Sequence, residues 1–216
     1  MTLAQQGWYQ WHAPYDDLLS EQTERLEVVQ RLLVEYFDGA PAGPLRAVSI
    51  CSGQARDLLP ILIHHPRGAE VQATMLDLDP LNASFLHGAL GSTALTGVEV
   101  VVADAGSTAA YDGIVPVELA LLCGVFANVD LAGAERIVDF LPAMCAPGAT
   151  VVWSTYGDAL ATVDAVVQRL ESGSFERVAL HSDPSYVIAA HRFTGETAPL
   201  PVDERVFTFD TRGQTR

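Results

Sequence analysis

Phe175-Glu176-Arg177-Val178-Ala179-Leu180 and Tyr186-Val187-Ile188-Ala189-Ala190-His191-Arg192-Phe193 are two strand-like runs separated only by His181-Ser182-Asp183-Pro184-Ser185. A gap that short cannot hold the helical crossover that a parallel pair needs, so the two runs form an antiparallel hairpin. Upstream of it the pattern alternates: strand 47–51, helix about 56–65, strand 71–77, helix about 80–90, strand 98–103, strand 117–122, helix about 131–144, strand 149–156 and helix about 158–171. Such alternation dictates a parallel sheet with helices on both faces. The hairpin then forces one reversed strand into it. The expectation is an α/β Rossmann-like, seven-stranded, mostly parallel sheet with a C-terminal antiparallel hairpin, which is not the usual dinucleotide-binding arrangement.

The first 44 residues have a different texture. Trp8, Tyr9, Trp11 and Tyr15 crowd one short segment, and Ser20, with Thr23 and Glu24 just beyond it, opens a helical pattern through Leu26, Val29, Leu32, Leu33 and Phe37. Asp38-Gly39-Ala40-Pro41 ends that pattern. We expect one domain, with residues 1–44 as a helical N-terminal cap, 45–195 as the core and 196–216 as a tail. In the tail Val206-Phe207-Thr208-Phe209 alternates like a strand, suited either to folding back or to pairing in a homo-oligomer.

A chain of 216 residues, 49% of them hydrophobic, can bury the core of one large α/β domain. It shows no cationic leader and no apolar run of the roughly 20 residues a membrane span needs, so a cytoplasmic protein without a membrane partner is expected. Cys51, Cys123 and Cys145 make no C-x-x-C pair and signal neither a disulfide framework nor a metal site. Twelve basic against 27 acidic residues give a formal charge of −15, which repels a phosphate backbone and argues against nucleic acid as partner.

The chemistry centres on Ala47-Val48-Ser49-Ile50-Cys51-Ser52-Gly53-Gln54-Ala55-Arg56-Asp57, a buried strand stopping in a tight turn before a helix that begins near Arg56. A second strand, Ala73-Thr74-Met75-Leu76-Asp77, ends in a carboxylate 24 positions after Gly53. One carboxylate can accept hydrogen bonds from both adjacent hydroxyls of a ribose, and this spacing suits that task. The G-x-G-x-x-G fingerprint of a nicotinamide cofactor is absent.

Turn, acids and hairpin, in that order, resemble the class I S-adenosylmethionine-dependent methyltransferases over residues 45–195. In that family a Gly-x-Gly-x-Gly loop follows the first strand, and Cys51-Ser52-Gly53-Gln54-Ala55 falls on it with only the central glycine kept. Asp77, followed by Leu78, falls on the ribose-binding acid. Asp104, followed by Ala105, falls on the acid that meets the adenine amino group. Cys123-Gly124-Val125-Phe126-Ala127-Asn128 falls on the loop beside the methionine moiety and the substrate. The resemblance therefore implies that Cys51, Ser52, Gly53, Asp77, Leu78, Asp104, Ala105 and Cys123 contact S-adenosylmethionine. Ser49 stands where the family commonly has an acid, and Cys51 and Ala55 replace glycines, adding side chains where backbone should approach the ligand. More narrowly, Trp11-His12-Ala13-Pro14-Tyr15 combined with the Cys51–Asp57 motif is similar to a group of uncharacterised actinobacterial methyltransferase-like proteins.

For catalysis His12 is a candidate general base and Tyr15 a candidate partner, both in the aromatic segment; a lone histidine also serves as a structural residue. Trp8, Trp11 and Tyr15 suit a lid over a sulfonium, or simply pin the segment to the domain. Trp11, Phe126 and Tyr156 are expected around the substrate. The loop at Cys123 lacks the Asn/Asp-Pro-Pro-aromatic tetrapeptide that the family's exocyclic- and amide-nitrogen enzymes carry, which points to a small-molecule acceptor. The alternatives are a nicotinamide-dependent oxidoreductase and a non-catalytic S-adenosylmethionine-binding protein.

Overall fold

The computed structural model describes residues 6–209; residues 1–5 of the expected cap and 210–216 of the tail lie outside the described residues. Seven strands form one sheet: β1 (Leu45–Ile50), β2 (Val71–Asp77), β3 (Val98–Val102), β4 (Val117–Cys123), β5 (Cys145–Tyr156), β6 (Phe175–Ser182) and β7 (Tyr186–Phe193). Their order is β3-β2-β1-β4-β5-β7-β6. The β7 strand runs antiparallel to both β5 and β6, so the hairpin inserts its second strand reversed and leaves β6 at the edge.

β1 pairs with β2 on one side and with β4 on the other. The order reverses there, and the connections after β1 and β4 leave in opposite directions, opening a crevice at the C-terminal ends of these strands. The candidate site lies at that crevice.

Six α-helices complete the described chain: α1 (Gln6–Gln10), α2 (Glu21–Gly39), α3 (Leu59–His64), α4 (Pro80–Leu90), α5 (Leu131–Met144) and α6 (Val163–Ser172). Alternate side chains of the strands feed two cores. On one face Val48, Ile50, Ala120, Leu122, Val151 and Trp153 pack with α5 and α6. On the other, Ala47, Ala73, Met75, Leu119 and Leu121 pack with α2, α3 and α4.

The Ser20 signal is real. Ser20 Oγ accepts from Thr23 N at 3.1 Å and caps α2, as the sequence predicts. The cap reading of residues 1–44 needs adjustment, however. Val28, Val29, Leu33 and Phe37 bury the apolar stripe of α2 against the sheet, so α2 is a layer of the core, and only its first turns and the segment before Ser20 border the crevice. The helix expected from Arg56 starts at Leu59, because residues 51–58 are used by the turn itself. The helix expected over 158–171 is a 3-10 turn over Gly157–Thr162 followed by α6.

Because Leu33 is fully buried between α2 and the sheet, Leu33→Ala should cost about 2–5 kcal/mol in urea denaturation, the range for a core cavity. A detachable cap would lose well under that, and such a result would contradict this packing.

Candidate functional site

The turn after β1 places three residues in the left-handed region: Cys51 at φ 51°, Gly53 at φ 54° and Ala55 at φ 45°. These are the three positions that the glycine-loop resemblance singles out, and at Cys51 and Ala55 a side chain resists the left-handed path, at roughly 1–2 kcal/mol each. Gly53 alone cannot be replaced in this way. A Cβ there would overlap the His12 imidazole, so the position needs both the positive φ and the bare backbone.

Asp77, at the end of β2, holds this turn. Its Oδ2 accepts from Gly53 N at 2.7 Å, and its Oδ1 accepts from Asp79 N at 2.8 Å and Asn82 Nδ2 at 3.2 Å. Asp79 in turn caps α4 through Leu81 N at 2.9 Å. Around this carboxylate three buried polar atoms have no partner: Ser52 Oγ, Asp79 Oδ2 and Asn82 Oδ1. All three residues line the crevice. Leaving such atoms unpaired costs about 1–3 kcal/mol each, so a ligand rich in hydroxyl donors fits here.

Two segments roof the crevice. In the first, His12 Nδ1 donates to Trp8 O at 2.9 Å and Nε2 accepts from Gln54 N at 3.3 Å, an arrangement that fixes the neutral ring with its proton on Nδ1. Burial pushes the His12 pKa below its ordinary value, which keeps it neutral. Arg56 ties the same segment down through Asp16 at 2.8 Å. Trp11 stacks on Tyr156 at 6.0 Å and meets Tyr15 edge-on at 5.8 Å.

The second segment is the tail, which folds back on its own domain. Val206 N donates to Gly106 O at 2.8 Å, and Arg205 pairs with Asp104 Oδ2 at 2.6 Å. The other oxygen of Asp104 accepts from Gly106 N at 2.9 Å. The two segments touch each other through Trp8 and Phe209, whose rings lie 5.4 Å apart.

Between roof and sheet lies a cavity of about 330 Å³, within the range of small-molecule sites. Of the residues singled out from sequence, Trp11, His12, Tyr15, Cys51, Ser52, Gly53, Asp77, Leu78, Asp104, Ala105, Cys123 and Tyr156 all line it. Phe126 does not. It sits in the 3-10 turn Phe126–Asn128 with its ring driven into the core against Trp153 at 5.4 Å, while Gly124, Val125 and Asn128 face the cavity instead.

Sequence reading missed Arg25, Asp57 and Arg205. Arg25 stands four residues before Val29, on the stripe that α2 buries, and an arginine on an apolar stripe is the signal that would have found it. Its NH2 donates to Tyr15 OH at 2.9 Å, and its guanidinium lies over the Tyr156 ring at 4.3 Å. Beside it, burial raises the pKa of Asp57 above the usual carboxylate range. Burial likewise holds the Cys51 and Cys123 thiols well above their usual range, so neither is a ready thiolate. Among the described residues no cluster of three or more His, Cys, Asp or Glu side chains could hold a metal ion, and no helix is long and apolar enough to cross a membrane.

The fold has many solved counterparts. The chain is similar to a precorrin-6y C5,15-methyltransferase from Geobacter metallireducens, with 16% identity over 83% of this chain and 92% of that one at a TM-score of 0.59. The fold is the Rossmann-like methyltransferase fold. A 1,6-didemethyltoxoflavin-N1-methyltransferase from Burkholderia thailandensis, solved with 1,6-didemethyltoxoflavin and S-adenosylhomocysteine, is 13% identical over 88% of this chain and 85% of its own, at a TM-score of 0.61. An rRNA methylase from Streptococcus thermophilus is 10% identical over 76% of this chain and 95% of its own, at a TM-score of 0.58. No family model and no curated protein matches the chain, so the narrower likeness to the actinobacterial group gains no support from a sequence relative.

Gly53→Ala should lower stability by roughly 1–2 kcal/mol from the backbone alone and expose the segment around His12 to chymotrypsin. Adding His12→Ala removes the overlap. The double variant should recover the steric part of the loss, and a double variant no better than the single would show that the two residues do not meet.

Proposed function

We propose that the protein is an S-adenosylmethionine-dependent methyltransferase acting on a small-molecule acceptor. The observation that carries the reading is the convergence of unpartnered, buried polar atoms from Ser52, Asp79 and Asn82 around Asp77, at the switch point of a methyltransferase fold. That set suits the ribose hydroxyls of a nucleoside. Asp104 and Ala105, on the neighbouring rim, suit the base, and the turn at Cys51–Gly53 suits the amino-acid end. The neighbour solved with S-adenosylhomocysteine and a small acceptor supports the same use of the crevice.

When bound, the sulfonium supplies an already electrophilic methyl group, which leaves positioning, water exclusion and proton removal to the protein. The roof formed by Trp8, His12 and Phe209 excludes water. His12 positions the Gly53 turn, since its Nε2 lone pair is already engaged with the Gln54 amide. Asp57, half-buried and open to the cavity beside Cys123, is the group placed to accept a proton from an acceptor. The formal charge of −15 and the scatter of the arginines favour a small acceptor over the RNA substrates of some structural neighbours. Three free thiols suit a reducing, cytoplasmic setting.

Calorimetry tests the reading directly. S-adenosylmethionine and S-adenosylhomocysteine should both bind the wild-type chain, and Asp77→Asn should weaken both by about ten- to a hundredfold, as expected for a lost charge-assisted hydrogen bond. Heat from NADH and none from either sulfur nucleoside would replace this function with the oxidoreductase reading. Nucleoside binding without methyl transfer to any member of a broad acceptor panel would point to a binding protein.

Asp57 offers a test that needs no substrate. Its pKa is raised in the folded chain, so folding favours the protonated form, and the carboxylate costs stability once the pH exceeds the unfolded value of about 4 and climbs through the raised one. Asp57→Asn should therefore raise the urea midpoint at pH 7, with the gain shrinking toward pH 4. A midpoint that falls equally at both pH values would contradict the burial of this group.

A further inference from the structure

Three arginines line the cavity, and two of them are answered by carboxylates. Arg56 pairs with Asp16 at 2.8 Å and Arg205 with Asp104 at 2.6 Å. Arg25 is not answered. It is only 6% exposed, yet among the described residues no carboxylate oxygen lies within 4.0 Å of it. Its hydrogen bond goes to the neutral Tyr15 phenol at 2.9 Å. A guanidinium carries five donors in a planar fork, and burying it without a counter-charge is costly. Asp57, which also lines the cavity, makes no ion pair with Arg25 within 4.0 Å; the two interact only at longer range, and burial disfavours the Asp57 carboxylate.

The surroundings of Arg25 are aromatic and flat. Tyr156 lies under the guanidinium at 4.3 Å, Trp11 stacks on Tyr156 with an interplanar angle of 30°, and Tyr15 closes the third side. Tyr156 ends β5, three strands across the sheet from the Asp77 corner on β2, or about 14 Å at the usual strand spacing. The unanswered charge therefore lies at the far end of the cavity from the ribose-type corner.

We propose that the methyl acceptor is a small planar carboxylic acid, its carboxylate held by the fork of Arg25 and its ring set among Trp11, Tyr15 and Tyr156. The word acceptor rests on the methyltransferase reading above; the anion site itself does not. Arginine suits the role because its fork matches a carboxylate bidentately while its face stays stacked on an aromatic ring.

Titration of the full chain with benzoate and with its neutral isostere benzamide tests the proposal, run with and without saturating S-adenosylhomocysteine. Benzoate should bind at least about tenfold more tightly than benzamide, Arg25→Gln should reduce benzoate to the benzamide level, and Arg25→Lys should recover part of the difference. S-adenosylhomocysteine should bind Arg25→Gln within about twofold of wild type. Equal binding of the two probes, or of neither, overturns the proposal. So does an about tenfold loss of S-adenosylhomocysteine in Arg25→Gln that spares 5′-methylthioadenosine, because the guanidinium would then serve the nucleoside's own carboxylate. Should Arg25→Gln fail to show a native circular dichroism spectrum, the wild-type benzoate preference together with Arg25→Lys decides the question. Failure of wild type to bind S-adenosylhomocysteine counts against the methyltransferase reading, whereas the benzoate preference without nucleoside still decides the anion site.

Discussion

A single buried carboxylate organises the crevice. Asp77 takes a donor from the turn after β1, one from its own strand exit and one from the first helical turn of α4, so three elements that converge on the switch point share one anion. Without it the backbone amide of Gly53 would be buried and unpaired, and the left-handed path through Cys51, Gly53 and Ala55 would lose the contact that holds it. The same constraint explains which glycine this chain keeps. Positions 51 and 55 carry side chains, while a Cβ at position 53 would overlap the His12 ring.

Much of this was legible in the residues because local rules and the global arrangement agree. The five-residue gap at 181–185 admits one connection only, and the sheet contains the reversed strand it demands. The place of Asp77 was legible because it closes an apolar strand 24 positions after Gly53, but its grip on the Gly53 and Asp79 amides was not. Arg25 was hidden by proximity to charge: Glu21, Glu24 and Glu27 surround it in sequence, and such a run reads as a solvated helix face until the fold shows the stripe of Val29 and Leu33 turned inward. Phe126 was misplaced because a loop position carries no period. The 3-10 turn at 126–128 rotates its ring to the core side, a rotation no alternation rule anticipates. The tail offered two destinations of equal merit, and Arg205 with the Gly106 backbone chose between them through contacts distant in sequence.

The two halves of the crevice also differ in how their charges are balanced. At the β2–β3 side acids dominate; Asp77 is satisfied by amide donors and Asp104 by Arg205, while Asp79 keeps one oxygen unpaired. At the β5 side the cation of Arg25 dominates, with a phenol and π-faces around it but, among the described residues, no carboxylate in contact. A nucleoside with its hydroxyls at the acidic end and a separate anionic acceptor at the basic end would match this polarity, and exchanging the two would set like charges together.

The roof is made from stretches near opposite ends of the described chain, 8–16 and 204–209, meeting at Trp8 and Phe209. The first stretch lies outside the sheet and its helical layers, whereas the second is anchored in the core through the buried Val206 and Phe207. Both straps are also fastened by ion pairs, Arg56–Asp16 and Arg205–Asp104, that are partly solvent-exposed and weaken as ionic strength rises. Salt in the medium therefore loosens the outer fastenings of the roof while its buried anchors stay in place.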